Sequence, residues 1–70
     1  MEIKVRENTE LKNLMKLVNF VGSGGEAKHL IQNGLVKLNG EVCTIAGKKL
    51  KNGDEVEYDG EVVIISTDGN

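Results

Sequence analysis

The chain has no proline and no tryptophan, and only two aromatic residues, Phe20 and Tyr58, among its 70 positions. Two rings make no platform on which successive unpaired bases could stack, which disfavours the RNA-recognition-motif and cold-shock classes of nucleic-acid reader. Cys43 is the single cysteine, so an internal disulfide and a zinc site built on a cysteine cluster are both excluded. A reducing cytoplasm is the expected compartment. No apolar run approaches the ~20 residues of a membrane span. The opening MEIKVRENTE alternates and carries acids, unlike a signal or transit peptide. There is no internal repeat and no linker. His29, the lone histidine, has no nucleophile or orienting partner at a known place and reads as a solvated surface residue rather than a general base. The acid pairs Glu55/Glu57 and Glu57/Asp59 sit two apart, as on one soluble strand face, and not as a catalytic dyad. No enzyme, cofactor or small-molecule substrate is expected, and no catalytic or metal-binding residue is assigned.

With 39% apolar and 29% charged residues, the chain reads as one soluble globular domain over residues 1–70, near the lower size limit for folding on its own core. The net charge of −2 is unevenly spread. Residues 11 to 51 hold seven lysines (Lys12, Lys16, Lys28, Lys37, Lys48, Lys49, Lys51) against Glu26 and Glu41, a local balance of +5. The two ends hold Lys4 and Arg6 against nine acids, a balance of −7. Phosphate binding follows the local field of one face rather than the total.

Met1 to Arg6 alternate, with Ile3 and Val5 on one side, and predict a strand. Asn8 or Thr9 is placed to cap a helix running to about Phe20 or Val21. Leu11, Leu14, Met15, Leu17, Val18 and Val21 form its apolar arc, with Lys12, Lys16 and Asn19 opposite. A second helix is expected from about Gly24 to Asn33, burying Ala27, Leu30 and Ile31 and leaving Lys28, His29 and Gln32 outside. From Val36 onward the pattern is β. Val36–Leu38 and Glu41–Cys43 form a hairpin, with Cys43 as a small buried residue. Residues 44–52 form a lysine-bearing loop, and Glu55–Tyr58 and Glu61–Ile65 form a second hairpin across Asp59-Gly60. The consecutive apolar residues Val62–Ile65 suggest a strand that is central or covered on both faces, with the first strand as its neighbour. Residues 66–70 are expected to fray.

Residues 22–40, GSGGEAKHLIQNGLVKLNG, carry the densest local signals. Ser23-Gly24-Gly25-Glu26 fits a capping box, the Ser23 hydroxyl accepting from the Glu26 N–H and the Glu26 carboxylate reaching back to the Ser23 N–H. Gly34 supplies a left-handed helix stop, and Leu35 can pack back on Leu30 as a Schellman ending requires. Asn39-Gly40 is the favoured pair for a two-residue type I′ turn. The GSGG run is not a nucleotide-hydrolysing phosphate loop, because it lacks the Gly-Lys-Ser/Thr ending and a preceding buried strand. The glycine-lined start of the second helix still suits a phosphate, although Glu26 competes for the same field and capping alone explains the residues.

This segment resembles the alpha-L RNA-binding domain, the small module named after ribosomal small-subunit protein four, and most closely its stand-alone bacterial versions. In the resemblance Ser23 and the following glycines open the motif's second helix. Ala27 faces the first helix, Lys28 is the basic residue after it, and Leu30-Ile31 is the apolar pair. Gly34 is the stop, and Val36-x-Leu38-Asn39-Gly40 is the strand and turn. Gly47-Lys48-Lys49-Leu50 and Asn52-Gly53-Asp54-x-Val56 match the later basic loop and the Gly-Asp turn, so the match spans roughly residues 9 to 58. The family often has arginines before the Gly-Lys-Lys. Here Ile45-Ala46 stand there, which weakens the expected RNA contact of the loop.

The resemblance implies an α+β fold, with two short N-terminal helices packed on a small, mostly antiparallel sheet built from hairpins. It also implies a non-catalytic module that binds structured RNA, ribosomal RNA first. Lys12, Lys16, Ser23, Gly24, Lys28, Lys37, Lys48, Lys49 and Lys51 are the expected RNA contacts. The ribosome or a ribosome-assembly protein is a possible partner, and a membrane is not. Two other classes stay open: a β-grasp carrier of sulfur or protein, disfavoured by an ending of Asp68-Gly69-Asn70 rather than Gly-Gly, and a protein-interaction module using the acidic strands.

Overall fold

The computed structural model describes residues 1–67. Its elements run β1 (Glu2–Val5), α1 (Leu11–Leu17), α2 (Gly24–Gln32), β2 (Val36–Leu38), β3 (Glu41–Val42), β4 (Glu55–Tyr58) and β5 (Glu61–Thr67). The strands form one mixed sheet in the order β1-β5-β4-β2-β3. β1 pairs with β5 in parallel, and the remaining pairs are antiparallel. The fold is thus α+β with two helices and a five-stranded sheet. A strand precedes the helices, and its parallel pairing with the last strand closes the chain on itself. β5 is an interior strand, paired with β1 on one side and β4 on the other, as its apolar run suggested. Only one of its faces is covered, since Val63 and Ile65 are buried while Val62 remains 42% exposed. Ser66 and Thr67, expected to fray, are the partners of Lys4 and Val5 in β5. The expected fraying of 68–70 lies outside the described residues.

Both helices pack on the sheet face that carries Val5, Val36, Val56, Val63 and Ile65, and Leu11, Leu14, Met15, Ala27 and Ile31 complete the core. No described polar or charged residue is buried. α1 is shorter than the apolar arc predicts, and the reason is local. Val18 is its C-cap and Asn19 turns left-handed at φ 62°. The Asn19 N–H then donates to the Lys16 carbonyl (3.1 Å) and the Phe20 N–H to the Met15 carbonyl (2.9 Å). This is a Schellman ending with asparagine in the glycine position. Ending there leaves Leu17 57% exposed instead of in the core. Asn8 and Thr9 are not the cap either. Asn8 sits at φ 65°, and the Thr9 hydroxyl donates backwards to the Arg6 carbonyl (2.7 Å). Glu10 is the N-cap, with no side-chain cap bond.

α2 follows the local signals closely. The Ser23 hydroxyl accepts from the Glu26 N–H (3.2 Å), and the Glu26 carboxylate accepts from the Gly22 N–H (2.8 Å), one residue further back than a standard box. At the other end Gly34 takes φ 78°, with Gly34 N–H to the Ile31 carbonyl (3.1 Å) and Leu35 N–H to the Leu30 carbonyl (3.2 Å). The Schellman backbone is present, while the Leu35 side chain stays 54% exposed. Asn39-Gly40 and Asp59-Gly60 both have positive φ at each position, and the flanking pairs Leu38↔Glu41 and Tyr58↔Glu61 close two-residue turns. Asp59 is therefore a turn residue, so only Glu55 and Glu57 share a strand face. Cys43 is half-buried against the core rather than fully enclosed.

Candidate nucleic-acid interface

The lysine loop is held against the start of α1 by backbone bonds. The Leu11 N–H donates to the Lys48 carbonyl (2.8 Å), the Lys12 N–H to the Ala46 carbonyl (3.1 Å), and the Leu50 N–H to the Thr9 carbonyl (2.9 Å). Glu10 and Lys49 pair as an isolated antiparallel bridge. Leu50, 2% exposed, anchors the loop in the core, and full burial of such a side chain stabilises by about 1.5–3 kcal/mol. The first N–H groups of α1 are thereby satisfied. The backbone of Lys48 and Lys49 is thereby held against the start of α1.

Lys12 and Lys16 lie one turn apart on the same outer side of α1. Lys16 reaches toward α2, its Cδ 4.0 Å from where a Cβ on Gly24 would stand. Gly24 and Lys28 are again one turn apart. Lys48 and Lys49 on the loop, Lys12 and Lys16 on α1, and Ser23, Gly24 and Lys28 on α2 make up the candidate belt. Nothing lies within 4 Å of a Cβ placed on Gly25, so the approach to this helix end is open. Two acids temper the belt. Glu10 pairs with Lys12 (Oε1 to Nζ 3.5 Å) with both side chains more than a third exposed, a contact of roughly 0–1 kcal/mol. Glu26 occupies part of the α2 N-terminus through its bond to Gly22.

Two expected contacts lie elsewhere. Lys37 is exposed between inward-facing Val36 and Leu38 and is the Cα partner of Glu57 and Val42, which places it on the sheet face turned away from the helices. Lys51 gives its N–H to Asp54 Oδ2 (2.8 Å) and lines a groove with Glu7, Asn8 and Asn52 at the other side of the loop. His29 is exposed on α2 with Asn33 beside it. Phe20 and Tyr58 are half-buried and pack on each other, ring centroids 5.4 Å apart and tilted by 53°. Neither ring is left as a base platform.

Sequence reasoning missed Asn39 and Asp54 as a clamp. Asn39 Nδ2 donates to Asp54 Oδ1 (3.1 Å), Asn39 Oδ1 accepts from the Glu55 N–H (2.9 Å), and the Asn39 N–H donates to the Glu55 carbonyl (2.7 Å). These bonds tie the first hairpin turn to the Gly-Asp turn and fix where the lysine loop begins and ends. Both residues stand in motifs legible as turns, but their pairing spans 15 positions. Among the described residues no group of three or more His, Cys, Asp or Glu side chains is placed to hold a metal ion. No described helix is long and apolar enough to cross a membrane.

The S4 domain family matches residues 1–66, and the chain belongs to that family. Among solved structures it is similar to YbcJ from E. coli, with 32% sequence identity and a TM-score of 0.67 over 94% of this chain and 84% of that one. The solution structure of YbcJ reveals an AlfaL motif involved in RNA-binding. The resemblance read from residues 9 to 58 holds, and it extends to include β1 and most of β5. No curated protein matches the chain.

Proposed function

We propose that this chain is a non-catalytic, cytoplasmic module that binds structured RNA, ribosomal RNA in the first instance, through the belt of Lys48, Lys49, Lys12, Lys16 and Lys28. Membership of the S4 domain family supports the reading, as does the RNA-binding motif of YbcJ. The observation that carries it is the belt itself: five lysines on two helices and a loop that backbone bonds hold in register, beside an open helix N-terminus at Ser23-Gly24. Lysines and backbone donors suit phosphates, and the occupied aromatic rings leave shape and charge as the main means of recognition. A ribosome-assembly protein would be a compatible second partner, with the sheet's open face turned away from the RNA.

If five lysines each neutralise one phosphate, log affinity against log salt should slope by roughly −3.5 to −4.5. Going from about 50 to 200 mM salt should then weaken binding by about two to three orders of magnitude. Fluorescence titration of a ribosomal RNA stem-loop over that range tests this. A slope near zero, or no binding at low salt, would sink the RNA reading.

A further inference from the structure

The belt does not end at Lys16. Leu17 and Thr9 form a shared wall between two shallow grooves on the outer side of α1. One, of about 630 Å³, is lined by Asn13 and Lys16. The other, of about 540 Å³, is lined by the cations Lys4 and Arg6 at the end of β1. Arg6 was counted with the acidic ends of the chain, yet the fold sets it beside α1. Its carbonyl accepts from both the N–H (3.3 Å) and the hydroxyl (2.7 Å) of Thr9, which fixes the backbone from which its guanidinium projects.

We infer that this double groove takes one unpaired nucleotide of the bound RNA, its phosphate at Arg6 in one groove and its base over Leu17 in the other, with an edge toward Asn13. The chemistry is divided as such a ligand requires. Arginine meets the phosphate. Asparagine offers a donor and an acceptor to a base edge, a pairing that suits adenine. Leu17 is the only large apolar side chain on that side of α1, 57% exposed, and would shed water against a base face. Glu10 also borders the first groove, but it is engaged by Lys12 at 3.5 Å. The groove runs on from Lys12 and Lys16, so a strand lying on the belt would pass it. Unpaired nucleotides in bulges and loops are the usual seat of sequence preference in RNA recognition. The double groove is therefore where this module would distinguish one stem from another.

The inference rests on the RNA reading above, and the test separates the two. Binding is titrated by fluorescence anisotropy for a fully paired hairpin stem and for the same stem with one bulged adenine. The proteins compared are the unaltered chain, Lys28→Ala, Asn13→Ala and Leu17→Ala. Asn13 and Leu17 are exposed, and thermal melts are expected to be unchanged in both variants. The bulged stem should bind more tightly to the unaltered chain. Asn13→Ala and Leu17→Ala should each weaken the bulged stem by about three- to tenfold, the scale of one hydrogen bond, and leave the paired stem unchanged. Lys28→Ala should weaken both stems alike. Equal binding of both stems, or groove variants indistinguishable from the unaltered chain, would overturn the groove while the belt stands. Failure of the unaltered chain to bind either stem would overturn the RNA reading itself.

Discussion

The two helices begin in opposite ways, and the difference explains both what the molecule can bind and what its sequence discloses. α2 opens with its own residues: Ser23 caps it, Glu26 closes the box on Gly22, and Gly24 and Gly25 leave its end bare. α1 opens with borrowed groups. Glu10 makes no side-chain cap, and the carbonyls of Ala46 and Lys48, over 30 positions downstream, receive its first N–H donors. One helix end therefore faces solvent with donors to spare. The other is closed by protein and serves to hold the lysine loop in place. The same bonds that close α1 hold the backbone of Lys48 and Lys49 against the start of the helix that carries Lys12.

The comparison breaks most severely if the loop is released. Leu50→Ala should cost about 2–5 kcal/mol through the cavity it leaves. It should also loosen the carbonyls at the start of α1. That is comparable with the whole stability of a domain this small. Urea denaturation measures it, and a variant with an unchanged midpoint would mean the loop is not anchored through Leu50. At the next scale, Ser23→Ala should cost about 1 kcal/mol, because α2 depends on its own cap. Glu10→Ala, at the corresponding place in α1, should cost less than about 0.5 kcal/mol, since only an exposed ion pair with Lys12 is lost. Equal losses at Ser23 and Glu10 in the same urea titrations would erase the distinction between the two helix starts.

What was legible in the sequence follows the same division. The α2 cap, the Gly34 stop and the turns at Asn39-Gly40 and Asp59-Gly60 are decided by residues within five positions of each other and are legible in the sequence, apart from the Glu26 carboxylate reaching Gly22 rather than Ser23 and Leu35 staying exposed. The start of α1 was misplaced because its partners lie in the loop after β3. Its end was misplaced because the apolar arc continues through Leu17 and Val18 while Asn19 already leaves the helix at φ 62°. An asparagine at the position glycine usually takes was the available signal. For the candidate site, Lys12, Lys16, Lys28, Lys48 and Lys49 lie on the helix pair and on the loop docked to it. Lys37 does not, because strand alternation puts it opposite Val36 and Leu38. Arg6 and Asn13 carried no sequence signal, since only the fold sets them in adjoining grooves on either side of Leu17.

The most direct test of the account sets Lys28 against Lys37 in one RNA titration. Both are exposed lysines within the basic stretch of sequence, and they differ in the face on which the fold places them. Lys28→Ala should weaken binding to a structured ribosomal RNA fragment and make the salt slope shallower by roughly 0.7 to 0.9, one phosphate's worth. Lys37→Ala should reproduce the affinity and slope of the unaltered chain. If the two variants lose affinity equally, binding follows diffuse charge and the belt is not the site.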